Sequence, residues 1–194
     1  MAEIRINKRA IIDLNIEVLT GLHIGGSKET YGIGGLDNPV IKNPLDGRPI
    51  IPGSSIKGKI RSLLELNGLD DLRLFEPNED APTRGIFRDF RITKESANEL
   101  QEYFGFGIYT EYKTENKIEK ETGKAKDPRV IERVPAGTVF EGEIIINAYN
   151  DDDLDMLISQ LKKGFELLEM NYLGGSGTRG YGKVKLNIVS ERVV

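Results

Sequence analysis

The sequence predicts an α+β domain, and three observations carry that expectation. Two segments alternate apolar and polar residues with the period of a half-buried strand, two long segments place apolar residues at helical spacing, and 11 of the 22 glycines fall in residues 21–35 and 174–182. The first strand covers residues 9–19, where Ala10, Ile12, Leu14, Ile16 and Val18 alternate with Asp13, Asn15 and Glu17. Pro39 to Lys42 and Arg48 to Ile51 flank Asp46-Gly47, a hairpin signal. Pro52-Gly53-Ser54-Ser55 then opens a helix, with a serine to cap it and Ile56, Ile60, Leu63 and Leu64 on one face. A second main strand spans residues 85–93, and a short helix follows over residues 94–104. Residues 110–133 are too charged to form core and read as part of an insertion. The third strand covers residues 138–148. Asp151 to Asp153 begin the second long helix, whose stripe is Leu154, Leu157, Ile158, Leu161, Phe165 and Leu168. A glycine-rich loop ends it, and residues 181–189 alternate again as the last strand.

Without the hairpin and the insertion the order is strand, helix, strand, strand, helix, strand, the βαββαβ core of a ferredoxin-like (RRM-like) fold. The expected organisation is one domain over residues 1–194, with an inserted hairpin or lobe at about 38–52, a longer thumb-like insertion at about 94–137, and two glycine-rich loops.

Composition narrows the chemistry. With no cysteine there is neither a disulfide framework nor a thiolate metal site, and one histidine, His23, rules out a histidine cluster for zinc. The lack of cysteine fits a reducing, cytoplasmic setting, and no apolar run approaches the roughly 20 residues of a membrane span. The net charge is −4, but it is segregated: residues 42–61 and 174–185 together sum to +7 and the remainder to −11. That balance argues against a general nucleic-acid coat and for a confined anion-binding groove, because affinity follows the local field.

Two motif matches fail on context. Gly175-Ser-Gly-Thr-Arg-Gly180 fits the dinucleotide fingerprint, yet a helix precedes it and a strand follows, so no helix N-terminus faces a pyrophosphate. Gly53-Ser-Ser-Ile-Lys-Gly-Lys59 fits a phosphate loop until its last position, where Ile60 replaces the magnesium-binding Ser or Thr. What survives is a helix start with Ser54, Ser55, Lys57, Lys59 and Arg61, a combination that suits phosphate. A capped helix with a solvated basic face is the plainer alternative.

A third match spans the chain. Thr20-Gly-Leu-His-Ile-Gly-Gly26, Gly32-Ile-Gly-Gly-Leu-Asp-Asn-Pro-Val-Ile-Lys42, Ile50-Ile-Pro-Gly-Ser-Ser-Ile-Lys-Gly-Lys-Ile-Arg61, the stretches Glu115 to Glu119, Ala125 to Arg129 and Glu132 to Val134, and Tyr172-Leu-Gly-Gly-Ser-Gly-Thr-Arg-Gly-Tyr-Gly182 together resemble the RAMP superfamily. More narrowly they resemble the backbone subunits of the type III-A CRISPR effector, the Csm complex. Leu74 to Asp80 is shorter and more acidic than in relatives, and Lys120 stands where an Asp-Arg pair is commoner.

The resemblance implies copies stacked head to tail on a guide RNA (crRNA), beside other subunits of that complex, cutting complementary target RNA. It implies RNA contacts from His23, Arg129, Gly175, Gly177, Thr178 and Arg179, together with Ser54, Ser55, Lys57, Lys59 and Arg61. It also implies that Asp37 is the catalytic aspartate and holds Mg²⁺ or Mn²⁺. Some relatives carry structural zinc, which this composition does not support. Read alone, Asp37 before Asn38-Pro39 is a turn residue, and His23 is a loop histidine meeting backbone. Tyr103, Phe104, Phe106, Tyr109 and Tyr112 at the entrance of the insertion read as its packing anchor in preference to base-stacking groups. A non-cleaving RNA scaffold and a metal-independent ribonuclease with His23 as base are the competing functions; a small-molecule nucleotide binder ranks behind both.

Overall fold

The computed structural model describes residues 4–26, 39–69, 71–79, 81–119 and 125–194. Its strands and helices are β1 (Ile6–Val18), β2 (Ile50–Ile51), α1 (Gly53–Leu66), β3 (Gly85–Phe87), β4 (Phe90–Ile92), α2 (Lys94–Phe104), β5 (Glu111–Ile118), β6 (Ala125–Arg133), β7 (Val139–Tyr149), α3 (Leu154–Glu169) and β8 (Val184–Val193). An antiparallel sheet runs β2-β4-β7-β1-β8, with β3 also on β7; β5 and β6 pair only with each other. The chain is therefore mixed α and β with an antiparallel sheet.

The alternation in β1 sets the core. Ala10, Ile12, Leu14, Ile16 and Val18 are buried on the face that α1 and α3 cover, opposite Phe140, Ile144 and Ile146 of β7. All six stripe residues of α3 are buried with them, as are Ile56, Ile60, Leu63 and Leu64 of α1. Burying a single Leu or Ile side chain is worth about 1.5–3 kcal/mol, so this layer holds the sheet and helices together.

Several expectations needed correction. The expected strand over residues 85–93 is two short strands broken at Arg88-Asp89, because α1 begins against this backbone. A Cβ on Gly53 would lie 2.1 Å from the Phe87 carbonyl oxygen, and Gly53 donates its N–H to Asp89 Oδ1 at 2.9 Å. That carboxylate takes the place assigned to a serine cap: Pro52 is the N-cap, and no serine hydroxyl bonds the helix start. Residues 110–133 are not simply solvated. Of these, Glu111–Ile118 and Ala125–Arg133 form the β5–β6 ribbon, and at its foot Tyr109, Thr110, Ile131 and Glu132 are buried. The aromatic anchor holds fully for Tyr109, which lies under Arg48, and in part for half-buried Phe104; Tyr103, Phe106 and Tyr112 are exposed at 83%, 96% and 60%. The last strand begins at Val184, since the three preceding residues close the glycine loop: Leu173 donates to the Gly182 carbonyl at 2.8 Å and Leu19 to that of Lys183 at 2.8 Å.

The hairpin at residues 39–51 forms as expected. Asn43 donates to Arg48 at 2.8 Å across a turn whose Gly47 has φ +68°, and Lys42 bridges Pro49. The short helix α2 has the expected bounds, with Thr93 Oγ1 accepting the Ser96 N–H.

Candidate nucleic-acid interface

Buried Glu132 organises the floor of the site. Its Oε1 accepts from Lys42 Nζ at 2.5 Å and from Thr110 Oγ1 at 2.6 Å, and its Oε2 from the Val40 N–H at 2.9 Å. One basic partner and two neutral donors satisfy a carboxylate that burial would otherwise make costly. The Glu132 backbone carbonyl faces His23 Nδ1 at 2.8 Å. A carbonyl only accepts, so Nδ1 carries the proton and Nε2 is the acceptor of the neutral ring.

The glycine-rich loop closes over His23. Gly175 donates its N–H to the His23 carbonyl at 2.8 Å, and a Cβ on Gly174 would lie 2.3 Å from that same oxygen. Farther along, a Cβ on Gly177 would strike the Tyr172 ring at 2.0 Å, and Lys59 Nζ sits 3.9 Å from the centre of that ring. Burial holds the Lys59 ammonium below the ordinary lysine value, while the aromatic face supplies a compensating contact. Tyr172 thus joins α1 to the glycine-rich loop. These glycines are packed by their own chain, while Gly175, Thr178 and Arg179 remain exposed.

The cations of α1 separate. Lys57 and Arg61, four residues apart, share one flank, and Arg61 is paired with Glu76 and with Glu65 at 3.5 Å. Lys59 lies on the opposite flank, toward Tyr172. Ser54 is exposed and Ser55 half-buried at the helix start, where Asp89 already occupies the Gly53 N–H. Arg129 is exposed on β6, opposite Glu115 in the ribbon register.

A second cluster flanks the loop, and of its members the sequence assigned a role only to Arg179. Tyr181 is buried, and its hydroxyl donates to Glu115 Oε1 at 2.8 Å; Lys113 Nζ and Arg133 Cζ lie 4.8 and 5.2 Å from its ring centre. Burial raises the Tyr181 phenol above its usual value, and the Glu115 bond and charge add to that. Arg179 reaches Glu115 Oε2 at 2.9 Å, and Arg133 pairs with Glu111 at 2.6 Å. Glu115 and Glu132 stand in motifs visible in the sequence, but Arg179 and Tyr181 lie 64 and 66 residues from Glu115, and Lys42 and Val40 lie 90 and 92 from Glu132, so no local spacing signals these contacts.

Asp37 lies outside the described residues. The chain on either side of its segment meets here: Gly26 donates its N–H to the Pro39 carbonyl at 3.0 Å, next to His23. Among the described residues no group of three or more His, Cys, Asp and Glu side chains is placed to hold a metal ion.

Taken together, these elements form a sheet-and-helix domain with a ribbon, a glycine-rich loop and a basic edge. A description of the RAMP superfamily matches residues 15–185, and the chain belongs to that superfamily. Its relatives there include the CRISPR system Cms endoribonuclease Csm3 of Methanothermobacter thermautotrophicus, 41% identical over 97% of this chain and 87% of that one. The protein of the same name from Streptococcus thermophilus is 43% identical over 87% of this chain and 83% of its own. Among solved structures, a Csm3-Csm4 subcomplex of the type III-A CRISPR-Cas interference complex superposes with a TM-score of 0.58 at 28% identity, covering 97% of this chain and 80% of that chain. A type III-B Cmr-beta complex bound to cognate target RNA shares the fold, with a TM-score of 0.63 at 19% identity over 96% of this chain and 61% of that one.

Proposed function

We propose that this chain is the RNA-binding backbone subunit of a type III-A CRISPR effector and the endoribonuclease that cuts target RNA paired to its guide. The observation that carries the reading is the meeting of Gly26 and Pro39, the residues that flank the segment bearing Asp37, beside His23, which the glycine-rich loop covers. Full-length similarity to proteins named endoribonucleases supports it.

Guide phosphates lie along the edge formed by Lys59, Gly175, Gly177, Thr178 and Arg179. His23, Ser54, Ser55, Lys57, Arg61 and Arg129 border that path. The sheet order, with α1 and α3 on one face, supports a ferredoxin-like core from which the hairpin at 38–52 and the thumb-like segment at 94–137 project from a single domain. Copies associate head to tail on the guide, next to the other Csm subunits, in the cytoplasm. No helix among the described residues is long and apolar enough to cross a membrane.

Asp37 is the catalytic carboxylate. A lone carboxylate suits Mg²⁺ or Mn²⁺, which keep several waters and complete their shells with substrate phosphate; when bound, the ion supplies positive charge at the scissile phosphate. With no cysteine and a single histidine, the composition does not support a zinc site. The protein's own part is to hold one nucleotide splayed, so that its 2′-hydroxyl lines up with the adjacent phosphate.

One observation favours a second reading: with Nδ1 held by the Glu132 carbonyl, His23 Nε2 is the ring's acceptor, as a metal-independent base requires. One experiment separates the two. In the reconstituted complex, Asp37→Ala and Asp37→Asn leave guide binding and target pairing intact and abolish target cleavage; EDTA stops the wild type and Mg²⁺ or Mn²⁺ restores it. Cleavage that survives Asp37→Ala, or that runs undiminished in EDTA while His23→Ala is dead, overturns the proposal in favour of the histidine.

A further inference from the structure

We propose that Glu115 is a positioning residue that acts through Arg179: it occupies the cation of the glycine-rich loop in the RNA-free protein and withholds it from RNA that does not otherwise fit the groove. This rests on the RNA-binding reading above.

The geometry is that of a carboxylate standing where a phosphate would stand. Glu115 uses both oxygens, Oε1 for the Tyr181 hydroxyl at 2.8 Å and Oε2 for Arg179 Nη1 at 2.9 Å, with Lys113 Nζ 3.9 Å from Oε1. The two ends of the pair differ in access. The Glu115 side chain is 20% exposed and anchored by a buried tyrosine, whereas Arg179 is 61% exposed. Arg179 can therefore turn to an incoming phosphate while Glu115 stays in place. Its other amino group, Nη2, bonds Ser176 Oγ at 2.9 Å, and Ser176 holds φ +59° in the left-handed region. The loop conformation and the ion pair are thus tied together.

The charge balance makes such a device necessary. Lys113, Arg129, Arg133 and Arg179 stand against Glu111 and Glu115, leaving this corner at +2. Without Glu115 four cations would face one carboxylate beside an exposed loop, and any polyanion would find them. With it, an RNA must displace the pair, and only a strand already held at several phosphates meets that cost.

Glu115→Gln tests the idea, since the amide oxygen still accepts from Tyr181 but the charge is gone. In titrations of the full chain with a labelled single-stranded RNA of mixed sequence, the variant is expected to bind about two- to fivefold more tightly, the fold-change that matches one exposed ion pair. Its plot of log affinity against log salt steepens by about 0.7, one further phosphate contact on a single strand. Adding Arg179→Ala to the variant removes both gains, and the melting temperature of Glu115→Gln stays near wild type. Weaker binding with a lowered melting temperature would make Glu115 structural only and overturn the proposal. A gain that persists without Arg179 would overturn it as well, by leaving only a through-space field. If neither wild type nor variant binds RNA, the RNA-binding reading itself falls and takes this one with it.

Discussion

Asp152 shows how much a single buried charge does here. It accepts from Arg84 Nε at 2.9 Å, from the Tyr149 N–H at 2.9 Å and from Arg73 Nη1 at 3.1 Å, and both Arg84 and Asp152 are nearly inaccessible. Burial pushes its carboxyl upward, but the Arg84 hydrogen bond, the Tyr149 N–H and the two guanidinium charges outweigh that and hold it below the usual range. A carboxyl depressed on folding stabilises above its unfolded value of about 3.9 and loses that contribution as the pH falls through the folded one. Asp152→Asn should therefore cost about 3–5 kcal/mol at neutral pH, because a buried guanidinium is left without its counter-charge. The gap to wild type should narrow below about pH 4, as urea denaturation at neutral and acid pH would show.

At the scale of elements, α1 sorts its own cations. Arg61 is held by Glu76 and Glu65, and Lys57 shares its flank, while Lys59 and the loop residue Arg179 lie on the side joined by Tyr172. Lys59→Ala with Arg179→Ala should flatten the salt dependence of guide RNA binding by about 1.4, two phosphate contacts. Lys57→Ala with Arg61→Ala should change that slope by less than half as much and lower thermal stability slightly through the lost ion pairs. Equal slopes for the two double variants would mean that both flanks face RNA.

For the whole molecule, the open face of the sheet bears on where RNA is expected to lie. Along β1 and β7 that face carries Asp13, Asn15, Glu17, Glu141 and Glu143, with Asp13 opposite Glu143 and Asn15 opposite Glu141. Ser190 and Arg192 bond Asp13, and Arg88 pairs with Glu143. With Lys185 opposite Glu17 and Arg91 opposite Glu141 as well, each carboxylate of this face has a cation beside it, so the face offers a phosphate backbone no net positive field, which favours the proposed glycine-rich edge as the binding side. The proposed head-to-tail association of copies closes no ring. In sedimentation experiments with guides of increasing length, the number of bound copies should rise in proportion to RNA length; a fixed copy number at every length would refute open stacking.

The helices and main strands, the hairpin and the cores of α1 and α3 were determined by the sequence itself, because periodicity of apolar residues is a local property and burial follows it. The motifs from Thr20 to Gly26, Ile50 to Arg61 and Tyr172 to Gly182 likewise identified the family and the loops where RNA is expected, with no structure needed. Tertiary structure alone decided which charges are available. Arg61 and Arg179 are basic residues in basic stretches, yet each is taken by a carboxylate, Glu76 and Glu115, from another element. The break at Arg88-Asp89 and the missing serine cap have the same origin, since the strand that meets Gly53 lies 36 residues farther along. Glu132 reads as a surface acid in a charged stretch and is instead the buried anchor beneath His23. Ion pairing and desolvation depend on what stands within a few ångströms in space, and sequence spacing carries that information only inside a helix or a strand.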